Sequence, residues 1–173
     1  PHLVPAAAAR LAGEAGAEDG ARCGRRKTWT VSAVNGTSWS GCRLALEALA
    51  PDDSNALFLS EHRLRQGSLV QTAREWTQAR GLKGVFTHCK DSGPGPLQTS
   101  SGTAVLAKKF VGLAEIGDWD SWLSWAASTA GDDDEPAFKE VLRARVCPAR
   151  VAGLIGNGFV AVSIHMMDGV ALD

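Results

Sequence analysis

The sequence predicts an α+β domain in which short buried strands first alternate with helices and then follow one another. Runs such as Ala56 to Leu59 and Thr103 to Ala107 are too brief for helices and suit strands covered on both faces. Between the early runs, apolar residues recur at helical spacing. Glycine and proline clusters punctuate the second half, where strand follows strand.

In order, Trp29, Val31 and Ala33 alternate with Thr30 and Ser32, which fits a strand ending in the polar Asn35. From Gly41 to Ala50, Cys42, Ala45, Leu46 and Leu49 mark a helix that Pro51 stops, and Asp52, Asp53, Ser54 and Asn55 make a turn. Ala56 to Leu59 is the next strand, and its end delivers the carboxylate of Glu61. A second helix is expected over Gln66 to Arg80, with Leu69 or Val70, Ala73 and Trp76 on one face and Gly81 as its cap. Lys83 to His88 reads as a third strand, Lys90 to Thr99 as a loop, and Thr103 to Ala107 as a fourth strand that Val111 to Ile116 continues or pairs with. Val141 to Val151 and Phe159 to Ile164 complete the strands, joined by the turn Gly153 to Gly158. Leu142, Ala144 and Val146 alternating with Arg143 and Arg145 give the first of them one wet face.

A chain of 173 residues with 45% hydrophobic composition has the length and core of one domain. Its start at Pro1 and its stop at Asp173 lead us to expect a fragment. Residues 1–27, Ala/Gly-rich with Arg22, Arg25, Arg26 and Lys27, read as a flexible leader, and 28–173 as the folded part, with 117–140 as a variable insert. The net charge of -1 excludes a global field for nucleic acid, so a polyanion site must be a local patch. Cys23, Cys42, Cys89 and Cys147 contain no C-x-x-C pair, which argues against a zinc ribbon or redox dithiol, and Cys42 and Cys147 read as buried thiols. No stretch approaches the roughly 20 apolar residues of a membrane span, and Ala6 to Ala9 is too short for a signal core; an intracellular setting, nuclear or cytoplasmic and not secreted, is expected.

Within the insert, Trp119, Trp122 and Trp125 fall along one helical face, expected to pack on the core, with a base-stacking platform as the alternative. The run Asp132 to Glu135 lacks EF-hand spacing and reads as a solvated loop. No G-x-G-x-x-G, P-loop or solenoid repeat is present. Asn35 and Glu61 are the chemically suggestive pair. βαβ units gather ligands at the carboxyl ends of their strands, and an amide beside a carboxylate suits a cation or phosphate.

Taken together, the strand ending at Asn35, the helix, the strand ending Ser60-Glu61-His62, the strand Ser101-Gly102-Thr103-Ala104-Val105-Leu106 with its trailing lysines, and Val160-Ala161-Val162-Ser163-Ile164-His165 resemble the endonuclease/exonuclease/phosphatase superfamily. That is the fold of deoxyribonuclease I and exonuclease III. The resemblance runs from about Trp29 to the end and covers roughly the first half of the family's domain. It implies an incomplete two-sheet β-sandwich flanked by helices, whose inner sheet face lacks its opposing layer. It implies Glu61 as a ligand of Mg²⁺ (or Mn²⁺), Asn35 as a second ligand or an orienter of the scissile phosphate, and His165 where the family has a tyrosine. His62 and Lys108 follow as phosphate or substrate contacts. The family's later Asp-and-Asn motif and terminal Asp-His pair are not found in these residues. The implied function is a fragment of a Mg²⁺-dependent phosphodiester hydrolase, an endonuclease acting on DNA, inactive as it stands. The implied setting has DNA as partner, no membrane, and a reverse transcriptase domain downstream in the same chain.

Two other readings stay open. One is a degenerate domain that binds protein or nucleic acid through Lys108, Lys109 and the tryptophans. The other is a serine hydrolase with its elbow at Ser38 in Gly36-Thr37-Ser38-Trp39-Ser40-Gly41, which misses the G-x-S-x-G spacing at position 40. His88, beside Cys89, reads as a strand-end histidine with no ligand partner at useful spacing.

Overall fold

The computed structural model describes residues 30–49, 54–65, 67–91, 99–130, 135–152 and 158–165. Its architecture is α+β. The strand β1 (Val31–Asn35) leads into helix α1 (Trp39–Ala48), which starts two residues before the expected Gly41 because Ser38 caps it, its hydroxyl accepting from the Gly41 N–H at 3.1 Å. The helix carries the chain back to β2 (Ala56–Ser60), which therefore runs parallel to β1. Helix α2 (Ser68–Ala79) buries Ala73 and Thr77, with Val70 and Trp76 partly buried, while Leu69 stays 51% exposed. Gly81 follows at φ +74°, the left-handed turn expected of it. Then come β3 (Leu82–Phe86), a small ladder of β4 (Lys90–Asp91) with β5 (Thr99–Ser100), and β6 (Thr103–Lys108), which slots antiparallel between β2 and β3. The first sheet has the order β1-β2-β6-β3.

The second half builds the facing layer. β7 (Leu113–Glu115) is followed by helices α3 (Trp119–Ala130) and α4 (Glu135–Arg145), then β8 (Val146–Val151) and β9 (Phe159–Ile164), in an antiparallel sheet ordered β7-β8-β9. Val34, Leu57, Leu59, Phe86 and Leu106 face α1 and α2. Val85, Val105 and Ala107 face Cys147, Ala149, Val151 and Ala161 of the second sheet. Ala104 to Ala107 are fully buried, and this double cover explains their unbroken apolar run.

Several expectations are corrected. The inner face of the first sheet does have an opposing layer, supplied by this chain itself. In β1 the core-facing residues are Ser32 and Val34 rather than Val31 and Ala33; Ser32 is tolerated inside because its hydroxyl meets that of Ser54 at 2.5 Å. Residues 111–116 neither continue nor pair with β6: Lys109–Val111 form a 3-10 turn, Gly112 breaks direction at φ +72°, and β7 joins the other sheet. Residues 141–145 are the end of α4, not strand, held there by ion pairs from Arg143 to Glu140 and to Asp120 of α3, each at 2.6 Å. Lys90 to Thr99 is bounded by the β4–β5 ladder, and its 92–98 portion lies outside the described residues, as do the leader 1–27, the acids 132–134 and the turn at 153–157.

Two glycines separate backbone strain from crowding. Gly102 sits at φ +84° with the place of a Cβ only 2.6 Å from the His62 ring, whereas Gly67 sits at φ +87° with nothing within 4 Å. Gly67→Ala is expected to cost about 1 kcal/mol and Gly102→Ala about 2–4 kcal/mol, because only the second adds overlap to strain. Urea unfolding of the two variants measures the difference.

Candidate functional site

Because β1 and β2 are parallel and in register, their carboxyl ends lie side by side, with Asn35 opposite Ser60 and the Gly36 N–H donating to the Ser60 carbonyl at 3.2 Å. Residues two apart share a face, so Ala33 and Asn35 stand on the same side as Phe58 and Ser60. Phe58 packs on the core between the sheets, which makes this the side turned toward the second sheet. Glu61 comes one step later at φ +59°. Its carboxylate lies 3.3 Å from Nε2 of His165, the residue that follows β9. The pair is largely shielded, at 22% and 16% side-chain exposure. Arg145 anchors the imidazole's backbone: its carbonyl accepts from the His165 N–H at 2.8 Å. The structure thus brings Glu61 and His165 together and sets Asn35 on the neighbouring strand end, on the same face. The Asn35 side-chain oxygen accepts from the Thr37 N–H at 3.4 Å, which leaves its amide nitrogen as the group to meet an acceptor.

Strain concentrates at this end of the sheet. Among the described residues, the non-glycine residues at positive φ are Thr37, Glu61, Arg63 and Ser101, and all four lie in the connections after β1, after β2 and before β6. Each costs about 1–2 kcal/mol relative to an ordinary conformation, and such residues gather where function overrides stability.

His62 and Lys108 are placed away from the pair. His62 is fully buried. One ring nitrogen, Nε2, faces the Thr103 carbonyl at 3.2 Å and the other accepts from the Leu64 N–H at 3.0 Å. These bonds define the neutral Nε2–H tautomer, and burial pushes the imidazole down to about 4. Neither nitrogen opens to a phosphate. Lys108 ends β6, whose other end, Thr103, is the one beside Ser60. Five residues of strand, about 17 Å, separate it from that end of the sheet, and its ammonium sits 6.0 Å from the Phe110 ring.

Among the described residues, no group of three or more His, Cys, Asp or Glu side chains is placed to hold a metal. The donors at hand are one carboxylate and one amide. That set fits Mg²⁺ or Mn²⁺ held through few protein oxygens with water and phosphate completing the shell, and it does not make a closed all-protein site.

The remaining candidates resolve into structural parts. Ser38 has ordinary extended backbone at φ -170° and spends its hydroxyl on the helix cap, without the strained turn of a nucleophile elbow. His88 lies 3.8 Å from Glu140. Cys42 and Cys147 are fully buried, and burial pushes both thiols up to about 12; Cys89 is raised for the same reason. The tryptophans do not pack on the core as expected: Leu123 fills that place in α3, while Trp122 and Trp125 are exposed. Sequence reasoning passed over Arg145 and Arg63. The only signal for Arg63, exposed two residues beyond Glu61, was a basic residue directly after the Glu-His pair.

No family model matches this chain, and no match is found among curated proteins or among solved structures. No helix among the described residues is long and apolar enough to cross a membrane.

The buried imidazole gives a pH signature. Its folded-state value near 4 lies below the ordinary 6.5, so the unfolded chain takes up the proton first. Stability is therefore fully present above about 6.5 and is lost as pH falls toward 4. The protein is expected to be about 2 kcal/mol less stable at pH 5 than at pH 7. His62→Asn, which keeps an acceptor for the Leu64 N–H, should flatten this slope in urea unfolding.

Proposed function

We propose that this chain is part of a Mg²⁺-dependent phosphodiester hydrolase domain of the deoxyribonuclease I type, acting on DNA as an endonuclease. The observation that carries the reading is the Glu61–His165 pair, with Asn35 at the adjoining strand end. A carboxylate, an imidazole and an amide from two sheets face one corner of the sandwich. A parallel pair joined by a helix, antiparallel neighbours, a second antiparallel sheet behind and helices outside are features that such a fold also has.

The divalent ion, when bound, supplies positive charge against a phosphodiester. Glu61 is the residue to hold it, and His165 fixes the orientation of that carboxylate. The Asn35 amide directs an N–H at a phosphate oxygen, and exposed Arg63 lies at the same rim. Among the described residues no third His, Cys, Asp or Glu joins Glu61 and His165 as a metal ligand, so the roles assigned to Glu61, His165 and Asn35 are to hold and orient ion and substrate. DNA as partner, and a reverse transcriptase domain downstream, belong to the same reading. Free, buried Cys42, Cys89 and Cys147 fit an intracellular setting.

Mg²⁺ titration followed by calorimetry tests this. One ion is expected to bind in the millimolar range, with binding lost in Glu61→Gln and little changed in Asn35→Ala, whose amide N–H serves the phosphate rather than the ion. Unchanged Mg²⁺ affinity in Glu61→Gln sinks the proposal. Loss of metal response together with retained oligonucleotide affinity would identify a binding module instead.

A further inference from the structure

We infer that the open edge of β9 is a docking slot for one added β-strand, an extended, uncharged, apolar segment of a partner protein. The second sheet is one strand short of the first. β7 packs against β3, β8 against β3 and β6, and β9 against β6 and β2. The Ser163 hydroxyl, bonded to the Leu59 carbonyl of β2 at 3.1 Å, marks where the cover stops. β1 projects beyond it, and Ala33, on the inner side of β1, stays exposed. Strands are spaced about 4.8 Å apart in either sheet, so a strand laid beside β9 comes to lie over β1.

The edge is open to pairing. Among the described residues no strand bonds to the far side of β9, so alternate N–H and C=O groups of Val160 to Ile164 point away from β8 without a strand to meet them. The outward side chains Val160, Val162 and Ile164 are 54%, 43% and 56% exposed. Sheet edges are ordinarily blunted by charge, proline or brevity. β3 carries Lys83, and β7 has three residues and ends at Glu115, whereas Phe159–Ile164 holds neither charge nor proline.

The same geometry selects the occupant. An apolar face alone accepts many surfaces, but unpaired main-chain groups take an extended backbone. A second copy cannot supply it through its own β9: that copy's β2 lies beneath its β9 and would collide with the projecting β1. Side chains specify the rest. Alternate residues of the added strand land on Val31 and Ala33, and those between extend the row Val160, Val162, Ile164, so both sets are apolar and the outer set β-branched. The covered stretch is Val31 to Ala33, which leaves Asn35 at the strand end open. The inference uses neither Glu61 nor His165 and stands apart from the hydrolase reading.

Fluorescence anisotropy of the full chain with a short labelled peptide of alternating threonine and valine tests the slot. Saturable binding is expected. N-methylation of one set of alternate peptide amides should abolish it and methylation of the other set should not, because only one edge of the added strand pairs with β9. Val162→Lys should weaken binding about tenfold or more. Leu44→Lys, at an exposed apolar residue of α1, should leave it unchanged. Both substitutions are at solvent-facing positions, and circular dichroism checks that the variants stay folded. Absence of saturable binding, the same response to both methylation patterns, or undiminished affinity of Val162→Lys overturns the inference. So does a dimer in sedimentation of the chain alone that Val162→Lys dissociates, which would put a second copy on the edge.

Discussion

The imidazole of His62 pins the end of β2 to the start of β6. It closes on the Thr103 carbonyl and the Leu64 N–H, and the backbone on either side adds bonds from His62 N–H to Gly102 and from Arg63 N–H to Ser101, each at 3.1 Å. With both nitrogens committed inside the protein, stretching residues 61–64 into ordinary strand would leave buried polar atoms unpaired, a penalty of about 1–3 kcal/mol apiece. The left-handed turns at Glu61 and Arg63 accompany this arrangement. The carboxylate that defines the candidate site is therefore held out by the buried neighbour next to it.

The central strand β6 shows the second constraint. Covered by α1 and α2 on one side and by β8 and β9 on the other, it has no solvated face and admits no polar side chain between Ala104 and Ala107. Cover thins toward the edge: Ala33 and Asn35 of β1 share the inner side yet remain exposed. The corner that this leaves beside Glu61 is where a ligand can enter.

What was legible in the sequence follows from these constraints. β2 and β6 were readable because double burial writes itself as an apolar run, and α2 because Ala73 and Trp76 keep helical spacing before a glycine that needs positive φ. The inward phase of β1 was not, since Ser32 is made acceptable inside only by Ser54, a partner 22 residues away. Five residues of alternation at 141–145 suit a strand and a helix turn equally, and one of the two Arg143 ion pairs that hold the helix reaches to Asp120 on another helix, 23 residues back. The tryptophans misled because counting indoles as apolar points them inward, whereas Leu123 already occupies that place. At the site, the strand-end positions of Asn35 and Glu61 could be read from order alone. The burial of His62 could not, because it depends on the close approach of Gly102, nor could the remoteness of Lys108, because it depends on β6 running against β2.

Polarity alone would arrange β9 the other way round. Val160, Val162 and Ile164 face water, while Ala161 and Ser163 face inward. Packing partners take precedence over polarity: Ala161 lies in the buried cluster with Val105, Ala107, Cys147 and Ala149. The Ser163 hydroxyl then latches across to the Leu59 carbonyl at 3.1 Å. His165, two positions further on, follows the same phase, so the imidazole reaches its carboxylate because Ala161 and Ser163, rather than the valines between them, turn inward.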